Sequence, residues 1–497
     1  MSVRPLAIRN AVPVAWADVP RVGIEELAAY VAHRVRLGGR LVAFSGMRRG
    51  DSRLEALAVV ADDSAGTLGL LLTTLGDAYV ALTPSCPQAH HFERELHEQW
   101  GVLPEGHPWL KPVRFPAGAD RPAIGMANFF RVTGEEVHEV GVGPVHAGII
   151  EPGHFRFSCH GEEVLHLEIS LGYQHRGVER ALIGGPNRRT IHYLETTAGD
   201  TSVGHTLAYC QAVEALGGIG CAPRATRLRA VSLELERIAN HVGDLGALAG
   251  DVGYLPTASY CGGLRGDVLN LTAMLCGSRL GRGLIRPGGL GLSPGADELA
   301  ELRERLARVC RDAARAADLM RGASSVRARF ERIGILDAES ARSLGMVGPP
   351  ARASGIDIDV RRDHPTGAYH GQALEVALGS GGDVFARAEQ RVLEIERSAR
   401  LVDTLLADPG EGDCLAPAGP PARLVAGKLV VSMVEGWRGE ICHIALTGED
   451  GRFARYKIID PSFHNWYGLA LALRGQAILD FPVCNKSFNL SYCGHDL

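Results

Sequence analysis

Three stretches of the chain repeat apolar residues at steps of three and four, and this periodicity most limits what the polypeptide can fold into. The first carries Leu228, Val231, Leu235, Ile238, Val242 and Leu245, with Pro223 suited to a first helical turn. The second carries Leu299, Leu302, Leu306, Val309, Ala313 and Ala316, and the third Phe385, Ala388, Val392, Ile395, Ala399, Val402 and Leu406. Such spacing puts one apolar stripe on each helix, and each stripe must be buried against another element, so a helical bundle is predicted. The stretch from Leu207 through Val213 supplies a shorter fourth helix.

Other segments carry strand and turn signals. Polar and apolar residues alternate around "VGVGPVHAGIIEPGHFRF", as in strands. "EICHIALTG" and "GRFARYKIID" flank the turn Glu449-Asp450-Gly451, a hairpin signal. "DPSFHNW" opens another helix, with Asp460 as cap and Pro461 in its first turn. Residues 1–116 mix helical and strand patterns, "FPAGADRPAIG" (115–125) reads as a linker, and "APAGPPA" (416–422) as a short loop. At 497 residues the chain exceeds what one core usually fills. The expected fold class is α+β: a small α/β domain over 1–116, a linker over 117–139, and a helical-bundle domain with flanking β-hairpins over 140–497.

Several function classes are disfavoured. A net charge of −5 argues against a general nucleic-acid partner. There is no GxGxxG between a strand and a helix and no phosphate-binding loop with lysine. The longest apolar patch, "LGLLLTTL", is far too short to span a bilayer. The eleven cysteines are spread singly, with no CxxC, which excludes the usual zinc-ribbon and ferredoxin spacings. "MSVRPLAIRNAVPVAWADVP" lacks a signal-peptide pattern, so reduced thiols in a cytoplasmic protein are expected.

Motifs in a fixed order carry a resemblance. "FERELHEQWGVLPEGHP" (92–108) resembles the signature of the 30-kDa-type subunit of respiratory complex I. "GPVHAGIIEPGHFRF", "LEISLGYQHRGVERAL", "LAYCQAVEAL", "RYKIIDPSFHNW" and "LRGQAILDFPVCNKSFNLSY" resemble the 49-kDa-type subunit and the large subunits of [NiFe] hydrogenases. The two fused in this order are similar to the large subunits of formate hydrogenlyase and other group 4 hydrogenases. The resemblance implies a subunit not active alone, with an iron–sulfur small subunit carrying a 4Fe–4S cluster and antiporter-like membrane subunits as partners. It also implies a cytoplasmic location, peripheral on the inner face of the cell membrane through those partners.

In [NiFe] large subunits the resemblance places the metals between two Cys-x-x-Cys pairs, because soft thiolates must hold and bridge both ions. With His205 and "LAYCQAVE" as anchor, the early pair falls on Ala198 and Thr201 in "AGDT". Neither is a ligand of the needed kind, and Asp200 alone cannot rebuild a four-thiolate site. At the far end only Cys493 remains, and Cys484 does not fit the spacing. A nickel–iron centre is therefore not expected, and no cofactor is expected to be firmly bound by this chain.

In the complex I branch the vacated cavity binds quinone. The resemblance places Tyr193, in "RRTIHYLE", at the position of a tyrosine that meets the quinone headgroup. A phenol can donate a hydrogen bond, and then a proton, to a reduced quinone oxygen. His146 matches the first histidine of the associated loop, the implicated one falls on Ile150, and His154 can replace it only if the loop folds back. The candidate catalytic residues are Tyr193, His205 and Glu168, with Tyr193 and His146 as quinone-cavity residues. Tyr193 is equally readable as a hydrogen-bonded core tyrosine, and His205, His241 and His175 as structural histidines. Asp251 reads as a capping or surface carboxylate; Arg176 and Arg265 are candidates to hold acids by bidentate pairing. Three functions follow: a metal-free subunit with an acceptor cavity, a purely structural subunit, or a hydrogenase with an atypical ligand set.

Overall fold

The computed structural model describes residues 3–48, 53–116, 124–146, 150–417 and 423–497. Residues 117–123 of the predicted linker and 418–422 of the Pro/Ala loop lie outside them. Among the described residues the fold is α+β, with a helical bundle and several antiparallel sheets.

The first sheet orders Leu6–Ile8, Thr67–Thr74, Glu55–Asp62 and Arg40–Met47, all antiparallel. Helix Ile24–Arg36 packs on it through Leu27, Tyr30 and Val31, and helix His90–Trp100 through Phe92 and Leu96. A three-stranded sheet follows, with Val137–Val142 and Glu163–Ser170 flanking His154–His160.

The three striped helices form as Pro223–Asp251, Ala296–Gly322 and Val384–Ala407, and the short one extends over Ser202–Gly217. A further helix, Leu255–Cys276, has no counterpart in the sequence periodicity. Gly262, Gly263 and Gly266 interrupt its apolar pattern and lower its intrinsic helicity. Packing overrides that: a Cβ at Gly246 of the neighbouring helix would lie 2.8 Å from Cys261 Cβ, so the two helices approach closely. The central helix Pro223–Asp251 also departs from the one-stripe expectation. It buries polar residues as well, among them Arg229, Glu234, Arg237 and His241, because each finds a partner on a neighbouring element.

The hairpin predicted at Glu449-Asp450-Gly451 joins Gly439–Thr447 to Phe453–Ile459, and Lys428–Gly436 completes the sheet. Its far edge pairs with Val14–Ala15 near the start of the chain. Side chains alternate between faces with a period of two. Leu429, Val431, Met433, Cys442, Ile444 and Leu446 complete the core of the N-terminal unit. Val430, Val434, Ile441, Ala445 and Ile458 join the core of the bundle. The sheet is thus buried on both sides. Helix Pro461–Ala472 begins as expected, with Asp460 Oδ1 accepting from the Ser462 amide at 2.8 Å and Pro461 in the first turn.

Candidate functional site

The loop that holds Ala198 and Thr201 lies between helices Thr190–Glu195 and Ser202–Gly217. The second helix has no side-chain cap from Thr201. Instead Glu236 of the central helix accepts from the amides of Val203 and Gly204 at 2.7 and 3.0 Å, which fixes the loop. Burial pushes the Glu236 carboxyl up to about 8.

Ala198 offers a buried methyl group. The Thr201 hydroxyl donates to Asp200 Oδ1 at 3.1 Å and accepts from Trp437 Nε1 at 3.1 Å. Arg438 grips both oxygens of Asp200, at 2.6 and 2.8 Å, and its Nε donates to the Asn489 carbonyl at 2.5 Å. The guanidinium carbon lies 3.9 Å from the Trp437 ring centre, a cation–π contact. Burial alone would push the Asp200 carboxyl up; the Arg438 charge overrides it and holds it below the ordinary range. Positions 198 and 201 therefore hold a methyl group and a hydroxyl bonded as donor and acceptor, beside a permanent positive charge.

Cys493 lies against this loop: the Gly199 amide points to its sulfur, and Ser491 Oγ is 3.4 Å away. Burial first, then the Glu151 charge, push its thiol up to about 12, so it is protonated at neutrality. A metal needs the thiolate. Cys484 sits apart, 3.9 Å from an Arg387 nitrogen. Among the described residues no three His, Cys, Asp or Glu side chains converge as a metal site.

His205 lies in a chain of four buried side chains. Its Nε2 is 3.1 Å from Asp460 Oδ2, its Nδ1 is 3.1 Å from His443 Nε2, and His443 Nδ1 is 2.9 Å from the Tyr456 hydroxyl. One assignment satisfies every bond: Tyr456 O–H donates to His443, His443 Nε2–H to His205, and His205 Nε2–H to Asp460. Burial, then the neighbouring His205, hold His443 well below its ordinary value, which agrees with a neutral ring. The sequence singled out His205 as a candidate and Asp460 only as a helix cap. His443 and Tyr456 sit at inward strand positions, which the alternation of "EICHIALTG" and "GRFARYKIID" can reveal but not assign to chemistry.

The other candidates occupy separate environments. Tyr193 is 38% exposed, and its hydroxyl has no partner among the described residues. Arg176 supports the end of its helix by donating to the carbonyls of Thr196 and Thr197, both at 2.8 Å, and so holds backbone instead of the expected acid. Arg265 likewise has no carboxylate partner among the described residues; its stem lies over Gly243. Glu168 pairs with Lys111 Nζ at 2.6 Å and accepts from the Phe130 amide at 2.7 Å. His146 Nε2 and His154 Nδ1 cross-tie their loop, 2.9 Å from the Gly153 carbonyl and 3.1 Å from that of Gly143; residues 147–149 lie outside the described ones. His175 Nδ1 lies 3.3 Å from the Asp496 carbonyl, His241 Nε2 lies 3.1 Å from Glu394, and Asp251 ends the central helix, exposed. Among the described residues Glu168, Tyr193 and His205 share no hydrogen-bond partner.

A second buried assembly escaped sequence reasoning. Arg237, Arg352 and Arg361 face Glu234, Glu394, Glu435 and Asp359 across the central helix, helix Val384–Ala407 and strand Lys428–Gly436. Tyr369 and Ser398 donate to Glu234 at 2.7 and 2.5 Å. Three guanidiniums meet four carboxylates, and burial pushes the Glu435 carboxyl above its ordinary range against the pull of Arg352. Charges so widely spaced in the sequence give no sign that they converge.

The family described as the 49 Kd subunit of respiratory-chain NADH dehydrogenase matches residues 251–426. Formate hydrogenlyase subunit 5 of Escherichia coli (strain K12) is 28% identical over 441 residues, covering 83% of this chain and 76% of that protein. The carbon monoxide-induced hydrogenase of Rhodospirillum rubrum is 30% identical over 355 residues, covering 71% of this chain and 97% of that protein. An NADH-quinone oxidoreductase subunit of Clostridium beijerinckii is 30% identical over 324 residues, covering 65% of this chain and 87% of that protein. No helix among the described residues is long and apolar enough to cross a membrane.

Proposed function

This chain belongs to the family that takes in the 49-kDa subunit of respiratory NADH dehydrogenase and the large subunits of membrane-bound hydrogenases, and from that premise we propose that it is a metal-free oxidoreductase subunit of a membrane-associated complex. One observation carries the metal-free part. Arg438 is bonded to Asp200 beside Thr201, so a divalent ion at the former ligand positions would meet a guanidinium and no thiolate. The donor set present does not fit a nickel–iron centre. Elemental analysis of the purified complex tests this: no nickel above background is expected, and stoichiometric nickel with iron would overturn the proposal.

The electron path then runs through a partner. We assign to this chain an iron–sulfur small subunit with a 4Fe–4S cluster beside it and antiporter-like membrane subunits below it. The chain itself stands at the cytoplasmic face. The match to formate hydrogenlyase subunit 5 covers more of the chain than residues 140–497 can supply, which supports reading 1–116 as a fused 30-kDa-like unit. Tyr193 is the donor we assign to a quinone or another carbonyl acceptor. Its exposed hydroxyl, free of partners among the described residues, is available to an acceptor held between this chain and the small subunit.

The second reading, a purely structural subunit, is favoured by His146 and His154, whose ring nitrogens are engaged by the carbonyls of Gly153 and Gly143. Binding of a quinone analogue by the intact complex, native against Tyr193→Phe, distinguishes the two. Loss of at least tenfold in affinity or turnover supports the acceptor site; an unchanged response supports the structural role.

A further inference from the structure

We propose that the protein also carries a binding cavity for a small monovalent anion, of nitrate or acetate size, with Arg94 as its anchoring residue. The cavity, of about 60 Å³, lies between helix His90–Trp100, residues 109–115, strand Glu163–Ser170 and helix Pro461–Ala472. Arg94 is 9% exposed. Its Nε donates to the Lys111 carbonyl at 2.7 Å and its Nη2 to the Pro112 carbonyl at 2.9 Å. Among the described residues its Nη1 makes no hydrogen bond, and no carboxylate forms an ion pair with the group.

The two acids whose charges reach Arg94 are already engaged. Glu98 accepts from the amides of Val113, Arg114 and Phe115, and Glu168 is neutralised by Lys111. Burial pulls Arg94 down to about 10, so it remains charged at neutrality. Nη1 is not one of the buried, unpartnered polar atoms, so it keeps accessible surface and offers a charged donor to an anion that enters the cavity. Trp109, Phe115, Phe129 and Trp466 line the same cavity, which strengthens a charge interaction inside it; Lys111 and Glu168 also line it and offset each other, so Arg94 supplies the net positive charge.

The volume sets the ligand class. One water needs roughly 10–15 Å³ of such space, so the cavity takes a few heavy atoms; pockets for drug-sized ligands measure about 300 Å³ or more. A quinone ring or a nucleotide is excluded. The inference therefore stands apart from the redox reading above, and neither depends on the other.

The test is a titration of the full-length protein with sodium nitrate and with sodium acetate, at ionic strength held constant with gluconate, read by calorimetry and tryptophan emission. Saturable binding of either anion by the native protein is expected, with no saturable binding of benzoate. Arg94→Gln should weaken binding at least tenfold. Ala470→Leu, which fills the cavity from the helix wall and leaves Arg94 in place, should do the same. A response that never saturates in the native protein overturns the proposal even where a variant fails to fold. Benzoate binding as tight as nitrate, or native affinity in either folded variant, overturns it equally.

Discussion

Arg438 holds both carboxylate oxygens of Asp200, at 2.6 and 2.8 Å, one residue before Thr201. Restoring sulfur on the loop should therefore not restore a metal. In the double variant Ala198→Cys, Thr201→Cys, with Cys493 as the third sulfur, one of four is still missing and the guanidinium is still present. Nickel content measured after expression with added nickel should stay far below one ion per chain. Stoichiometric uptake would show that Arg438 does not control the site.

The same pair contributes to stability. Removing one partner of a fully buried ion pair costs about 3–5 kcal/mol. The Asp200 side chain is 34% exposed, so Arg438→Ala should cost less, about 2 kcal/mol. Arg438→Lys should recover only part of this, because an ammonium cannot make the bidentate grip or the stack on Trp437. Urea denaturation midpoints measure both.

The Tyr456–His443–His205–Asp460 chain predicts disruption from either end. Tyr456→Phe leaves a buried imidazole nitrogen without its donor and should cost about 1–3 kcal/mol. Gly494→Ala acts at the other end, because a Cβ there would lie 2.6 Å from Asp460 Cγ. It should displace the carboxylate that both caps helix Pro461–Ala472 and accepts from His205, at a cost of about 1–3 kcal/mol. Thermal melts of both variants, with the His205 imidazole signals followed by NMR, check this. A native His205 signal in Gly494→Ala would contradict the coupling.

Glu236 gives a pH dependence whose sign is fixed. Its folded-state value, pushed up to about 8 by burial, exceeds the ordinary 4.5, so the folded chain holds a proton that the unfolded chain releases. Stability should fall as pH rises from about 4.5 to about 8, by up to roughly 5 kcal/mol for this group. Glu236→Gln cannot ionise and should show a shallower decline in melting temperature across that window. An unchanged slope would mean that the native carboxyl is already ionised.

The sequence disclosed most of the framework and little of the polar interior. Leu228 to Leu245 and Phe385 to Leu406 announce their helices because burial of a stripe follows directly from spacing. Leu255–Cys276 stays hidden, because close packing at Gly246 and Cys261 decides it and that contact is not local. Ala198 and Thr201 are legible as non-ligands from chemistry alone. Arg438, which sits beside them, lies 237 residues beyond Thr201 and carries no motif of its own. Asp460 is legible as a cap, yet its second bond, to His205, depends on the sheet and bundle meeting.

The doubly buried sheet has a consequence for biosynthesis. Leu429, Val431, Cys442 and Ile444 close the underside of a core most of whose other residues leave the ribosome more than three hundred positions earlier. At translation rates of about 5–20 residues per second, that apolar surface waits for tens of seconds before its cover exists. A nascent chain in that interval is a natural client for a holding chaperone, and its maturation should be limited by the arrival of its last strands.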